Sequence, residues 1–188
     1  MIPWLRLIGV GCRALAESKV DLLATTSIRL RAWPTDMDMN LHVNNGRYLM
    51  LADLGRTHWV VRTGMLKIAR EQKALPIVGD AIAKFRRDIK AFQAFEIRTR
   101  LVGWDRKWGF IEHRFVREDR VIGVVAVRGI FKGPEGPIDS EVFLAKLSPG
   151  TTSPALPGWA RDFHRSSELL SETIRDEERS RGLRPANE

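Results

Sequence analysis

The chain has 188 residues, a formal net charge of +8 and one cysteine, which suits one globular domain with an extension and excludes a disulfide framework or a multi-cysteine zinc site. With 44% hydrophobic and 29% charged residues it can build a core, so global disorder is excluded too, and the single thiol fits a reducing, cytoplasmic setting. The excess of 31 Lys+Arg over 23 Asp+Glu calls for an anionic partner, and composition leaves nucleic acid, a membrane surface and a phosphorylated small molecule open.

Residues 1–21 read as an N-terminal extension. Its first 16 residues are apolar but broken by Arg6 and Arg13, and a spanning helix needs about 18 uninterrupted apolar residues. Leu5, Ile8, Cys12 and Leu15 share one helical face, which suits docking onto the domain or peripheral contact with a membrane. Thr25 to Trp33 alternates like a strand and stops at Pro34. A polar loop follows, then a helix from Gly46 to about Arg62, with Asn44 or Asn45 as N-cap and Thr63-Gly64 as its stop. Tyr48, Leu51, Ala52, Gly55 and Trp59 mark one face, and Leu49, Met50, Leu54, Val60 and Val61 cover much of the rest, so the helix should be buried. Met65 to Gln72 reads as a short further helix.

Four strands are expected at Ile77–Ile89, Phe95–Trp104, Trp108–Arg117 and Val121–Phe131. Their links (90–94, 105–107 and 118–120) are short, which predicts antiparallel neighbours. Val121 to Val127 should be central and covered on both faces, and Gly133-Pro134 should close the sheet. The fold class is therefore α+β, an antiparallel sheet wrapped around a long central helix. The domain spans 22–148. A linker at 149–158 contains three prolines, and 159–188 forms a C-terminal helix and tail with Trp159, Phe163, Leu170 and Ile174 on one face and a charged, fraying end from Arg175.

The chemistry is concentrated in Asp36-Met37-Asp38-Met39-Asn40-Leu41-His42-Val43-Asn44-Asn45-Gly46. In an extended segment, Asp36, Asp38, Asn40, His42 and Asn44 lie on one side and the apolar residues on the other. The segment leads into a helix N-terminus, whose free N–H groups and positive dipole suit an oxygen that gains charge. A carboxylate beside such donors is what a carbonyl hydrolase requires. No G-x-S-x-G is present, and no second ligand stands at metal spacing from His42. His58, His113 and His164 lack comparable context and read as structural.

The segment Trp33 to Tyr48, WPTDMDMNLHVNNGRY, resembles the signature of hotdog-fold acyl thioesterases of the 4-hydroxybenzoyl-CoA thioesterase type. It also resembles the plant acyl-ACP thioesterases, whose comparable loop carries Asp, Asn and His at alternate positions; here these are Asp38, Asn40 and His42. Phe85-Arg86-Arg87-Asp88 is similar to their next-strand motif, with Asp in place of Glu. Through Gly64, Phe85-Arg86-Arg87 and the run Phe95 to Asp105, the chain most resembles the THEM6-like thioesterase group. The resemblance implies a hotdog fold, dimeric or larger, and hydrolysis of an acyl thioester to free acid and CoA. The alternative is a non-catalytic acyl-binding or interaction module on the same fold. It implies catalytic Asp38, Asn40 and His42, with Asp38 as general base or nucleophile, and an oxyanion held by the backbone of Asn44, Asn45 and Gly46. Tyr48 and Asp88 fall to substrate binding. No cofactor is expected beyond the CoA of the substrate.

Charge is uneven. Residues 84–132 hold 13 Lys+Arg against 6 Asp+Glu, which is +7 of the total. Arg86, Arg87, Arg106 and Lys107 are the candidates for contacting the CoA phosphates or an acidic acyl carrier protein. The chain carries no nucleic-acid-binding motif.

Overall fold

A computed structural model describes residues 4–183. Its contacts divide the chain after Pro154 into two units, each described by itself. Among the described residues no helix is long and apolar enough to cross a membrane.

The first unit begins with helix α1 (Trp4–Ala16), followed by strand β1 (Thr26–Arg31), the long helix α2 (Asn45–Arg62) and the short α3 (Met65–Glu71). Strands β2 (Leu75–Phe85), β3 (Ala94–Trp104), β4 (Gly109–Arg117), β5 (Arg120–Gly133) and β6 (Gly136–Ile138) follow, then α4 (Ser140–Leu147). The five long strands form one antiparallel sheet in the order β1-β3-β4-β5-β2, and β6 pairs with the end of β5.

Helix α2 starts where the sequence places it. Asn44 is the N-cap, its Oδ1 accepting the Gly46 N–H at 2.9 Å. Tyr48, Leu51, Leu54 and Trp59 are buried. Gly55 is required for close approach, because a Cβ there would stand 2.5 Å from Thr99 Oγ1 on β3. The helix is not buried on every side, however. Leu49 is exposed, and Met50, Asp53, Thr57, Val60 and Val61 are only half-buried, so one stripe of α2 stays open.

Three expectations about the sheet are corrected. First, the link before β3 does not join neighbours. Strand β2 ends at Phe85 rather than Ile89, and residues 86–93 carry the chain across the end of the sheet, so β2 and β3 are separated by two strands, β4 and β5. Ile89 is then fully buried outside any strand. Second, β5 is not at the centre of the sheet. It lies next to the edge strand β2, though Ile122, Val125, Ala126 and Val127 are buried as expected. Third, Gly133-Pro134 does not close the sheet; the chain turns back as β6 and then forms α4, whose N-cap Asp139 accepts the Glu141 and Val142 N–H groups.

The N-terminal segment is integral to the unit. Val10 and Ala14 are buried and Leu7 packs on the core, whereas Leu5, Ile8, Cys12 and Leu15 face outward. Glu17 fastens α1 to α2. It accepts from Arg13 at 2.8 Å and from Arg62, and it lies 3.1 Å from the Nε2 of fully buried His58.

The second unit is helix α5 (Gly158–Ser180), which runs past the point where fraying was expected. Leu170 and Ile174, expected to share the face of Trp159 and Phe163, are exposed.

Candidate active site

The loop between β1 and α2 is folded more tightly than alternation implies. Asp36 is buried and points inward, accepting from the Trp33 N–H at 2.9 Å and from Arg6 at 3.0 Å. It anchors the loop. Asp38 faces the other way. Its Oδ1 accepts the Asn40 N–H at 2.9 Å, and its Oδ2 lies 3.4 Å from His42 Nδ1. The Leu41 N–H donates to the Asp38 carbonyl at 3.1 Å, and Leu41 takes a positive φ of 59°. An Asp side chain that captures the N–H two residues on builds such a turn. The turn ends the alternation, which is why Met39 and Leu41 are 98% and 76% exposed rather than buried.

The same turn brings His42 back beside Asp38. The His42 backbone bridges to Lys90, and the Val43 N–H donates to the Ile89 carbonyl at 2.8 Å. The crossing segment 86–93 therefore forms the floor under the loop. Asp38 is about one-fifth exposed and His42 about one-third, while Asn40 lies open on the surface.

The three candidate oxyanion donors are not equivalent. The Asn44 N–H donates to the Asp36 carbonyl at 2.9 Å, and the Gly46 N–H is held by the cap. That leaves the Asn45 N–H, a first-turn amide that the helix itself does not pair. The loop thus presents a carboxylate, an imidazole, an amide side chain and a helix-start N–H together at one end of α2.

Tyr48 lies behind this site rather than in it. It is buried against Phe85 and Phe115, with ring centroids 5.0 and 4.8 Å away. Burial, with the Asp88 charge adding to it, pushes its pKa up to about 12, and the phenol donates to the Arg87 carbonyl at 3.5 Å. That hydrogen bond ties the phenol to the segment that carries Arg86, Arg87 and Asp88. The Arg86 and Arg87 N–H groups both donate to the Ile122 carbonyl at 3.0 Å, which leaves these residues exposed at the loop end of the sheet.

Arg106 and Lys107 stand elsewhere. Strand β3 runs from Ala94, paired with Arg31 at the start of the loop, to Trp104 just before them. Eleven extended residues span about 35 Å. Arg106 pairs with Asp139 at 3.1 Å, and Lys107 lies 5.0 Å from the Trp108 ring. One protomer therefore brings Arg86, Arg87 and Asp88 to the Asp38 end and leaves Arg106 and Lys107 at the other.

A cavity of about 390 Å³ lies between the C-terminal half of α2 and the concave face of the sheet. Val60, Met65, Ile77, Leu101, Ile111 and Ile130 line it. Its polar residues are Thr57 and the Asp53–Arg56 pair, 2.6 Å apart. The available signal was Asp53, Arg56 and Thr57, polar residues on a helix whose buried positions include Leu51, Leu54 and Trp59.

A sheet curled around one long helix, with an Asp-Asn-His turn at the helix start, defines a hotdog-fold thioesterase-like protein. Residues 32–135 match the Thioesterase-like superfamily, and the chain belongs to that family. It is similar to Protein THEM6 of Danio rerio, at 33% identity over 171 residues that span 89% of this chain and 85% of that one. In fold it resembles YbaW, a probable thioesterase from Escherichia coli, with a TM-score of 0.59 and 18% identity over 65% of this chain and 94% of that one. It also resembles the gentisyl-coenzyme A thioesterase BH1999, with a TM-score of 0.54 and 22% identity over 64% and 98% of the two chains.

Proposed function

We propose that this protein is an acyl-CoA thioesterase with Asp38 as its catalytic carboxylate. The observation that carries this reading is a partly exposed Asp38, 3.4 Å from His42, on a turn that the buried Asp36 anchors just ahead of the α2 N-terminus and its Asn45 N–H. With the thioester oxygen at that N–H, Asp38 takes a proton from water as the water oxygen adds to the acyl carbon. The tetrahedral intermediate then collapses, the C–S bond breaks and the CoA thiolate leaves and takes up a proton. Direct attack by Asp38, with water hydrolysing the resulting anhydride, uses the same geometry. His42 orients the carboxylate from 3.4 Å, and Asn40 faces the solvent where water enters. Arg86 and Arg87 supply cations for the CoA phosphates at this end. The exposed, unpaired thiol of Cys12 suits a cytoplasmic setting.

The working form is a homodimer through the β2 edge. Ile77, Val78, Ile82 and Phe85 of this edge strand are each about 40% exposed, beside the open stripe of α2. An eleven-residue edge strand, apolar apart from Asp80 and Lys84 and unpaired on its outer side, is a surface that a second copy completes. Antiparallel β2–β2 pairing sets the Phe85 end of one protomer beside the Leu75 end of the other. The apolar cavity near Ile77 then lies next to the partner's Asp38 loop and receives the acyl chain.

A panel of acyl-CoAs with a thiol-release readout tests the activity. Turnover far above the one protein thiol is expected. Stoichiometric binding without turnover would leave a binding module instead. Light scattering tests the assembly, and a strict monomer at micromolar concentration would overturn it.

A further inference from the structure

Helix α1 is apolar on both faces, and only one of them is covered. Leu7, Val10 and Ala14 face the core, and Arg6 turns inward to Asp36. On the other side Trp4, Leu5, Ile8, Cys12 and Leu15 fall within about 100° of the helix circumference. Trp4, Leu5, Ile8 and Leu15 are each 59% to 87% exposed. A helix that served only to close the domain would be polar on this side.

The stripe runs into a cluster of cations. Leu15 lines a groove with Val61 and Leu66, and the same groove is lined by Lys19, Lys67 and Arg70. Among the lining residues Glu71 is the one acid, and it lies 3.8 Å from Lys67, so the groove keeps a net positive charge. The segment carrying Lys19 is held in place: the Val20 N–H donates to the Arg62 carbonyl at 3.0 Å, and Arg62 donates to the Ser18 carbonyl. The acidic residue at the end of α1, Glu17, is turned inward to Arg13, Arg62 and His58.

We propose that the outward face of α1, with the cations beside its C-terminal end, docks onto an anionic membrane surface. An apolar helical stripe inserts shallowly among acyl chains, and adjoining cations meet the lipid phosphates. A second copy seated on this face would meet Lys19, Lys67 and Arg70 with a stripe that carries no acid, whereas anionic headgroups supply the missing charge. Docking here places the site close to the bilayer. Leu5, the most exposed residue of the stripe, adjoins Arg6, which donates to Asp36 at the base of the loop and to the Arg31 carbonyl. An acyl chain that partitions into the membrane is thereby met at the surface where it resides.

The full chain is sedimented with vesicles of phosphatidylcholine alone and of phosphatidylcholine with one-quarter phosphatidylglycerol. Binding to the anionic vesicles is expected, weakened by high salt. Leu5→Asp/Ile8→Asp should lower the partition coefficient by about tenfold or more, with an unchanged far-UV spectrum because both side chains are exposed. Leu170→Asp, an equally open apolar position on α5, should bind like the parent. The proposal is overturned if the parent chain does not sediment with anionic vesicles, or if the double variant sediments equally well. It is also overturned if the double variant changes the oligomeric state in light scattering, which would make the stripe a contact between copies.

Discussion

The two ends of α2 are built on different principles. Its N-terminal end is polar, and its shape is set by hydrogen bonds: Asp36 to Trp33 and Arg6, Asp38 to Asn40, Asn44 to Gly46. Its C-terminal end is apolar, shaped by side-chain volume around a cavity of about 390 Å³. Hydrogen bonds fix direction, which chemistry needs. Apolar packing with a gap fixes only room, which a flexible acyl chain needs. The contrast can be tested by asking which changes alter rate, which alter substrate choice and which alter stability alone.

The largest effect belongs to the polar end. Asp38→Asn keeps the side-chain size and removes the charge, so kcat should fall by roughly 10²–10⁴ in the thiol-release assay. Asp36→Asn, two residues away, should leave Arg6 without its buried charge partner and cost about 1–3 kcal/mol in denaturant unfolding. If Asp36→Asn were inactive while stable, and Asp38→Asn active, the roles of anchor and catalyst would be exchanged.

At the apolar end, Val60→Trp fills cavity space from a half-buried position. It should reduce kcat/KM for long acyl chains by about tenfold relative to short ones, the scale on which hydrophobic pockets discriminate. Equal losses for all chain lengths would show that the cavity does not hold the tail.

Acidity probes the core between the two ends. His113 is fully buried, donating to or accepting from Thr99 at 3.0 Å, and burial pushes its pKa down to about 3, with Arg56 adding to the effect. The unfolded chain takes a proton near the ordinary histidine value of about 6.5, while the folded chain does so only near 3. Stability from this group is therefore intact above that ordinary value and falls as the pH drops toward the folded one, by on the order of 2 kcal/mol at pH 5. His58 is also lowered by its burial, against the pull of Glu17, and acts in the same direction. His113→Gln should flatten the acid limb of a stability–pH profile. An unchanged slope would place the loss elsewhere.

The smallest effect concerns the basic residues. Arg86→Ala and Arg87→Ala, at the loop end, should each raise KM a few-fold, and less so in high salt. If each protomer binds its own CoA at that end, Arg106→Ala and Lys107→Ala should leave KM unchanged. A rise in KM for the second pair would show that the partner's far end reaches the CoA.

Several of these features are written in the chain locally. The 3.6-residue pattern of α2, its Asn44 cap and the strands β3, β4 and β5 depend on near neighbours, and the structure reproduces them within a few residues. The alternating Asp, Asp, Asn, His, Asn of the loop was legible in the same way and marked the segment in which we propose the site. Its shape was not, because the turn at Asp38–Leu41 depends on which of two aspartates faces inward, and that is decided by Arg6, thirty residues upstream. Strand β2 carries apolar residues like its neighbours, so nothing local tells that it crosses to the far edge. That placement follows from Ile89 being buried beneath Val43 at the end of the sheet. The helical face of Leu5, Ile8, Cys12 and Leu15 was visible from spacing alone, but α1 has a second apolar side in Leu7, Val10 and Ala14. Periodicity reports that a face exists. Which of two apolar faces meets the core is settled by the long-range ties of Arg6 to Asp36 and of Glu17 to Arg62 and His58, and those exist only once the chain has folded.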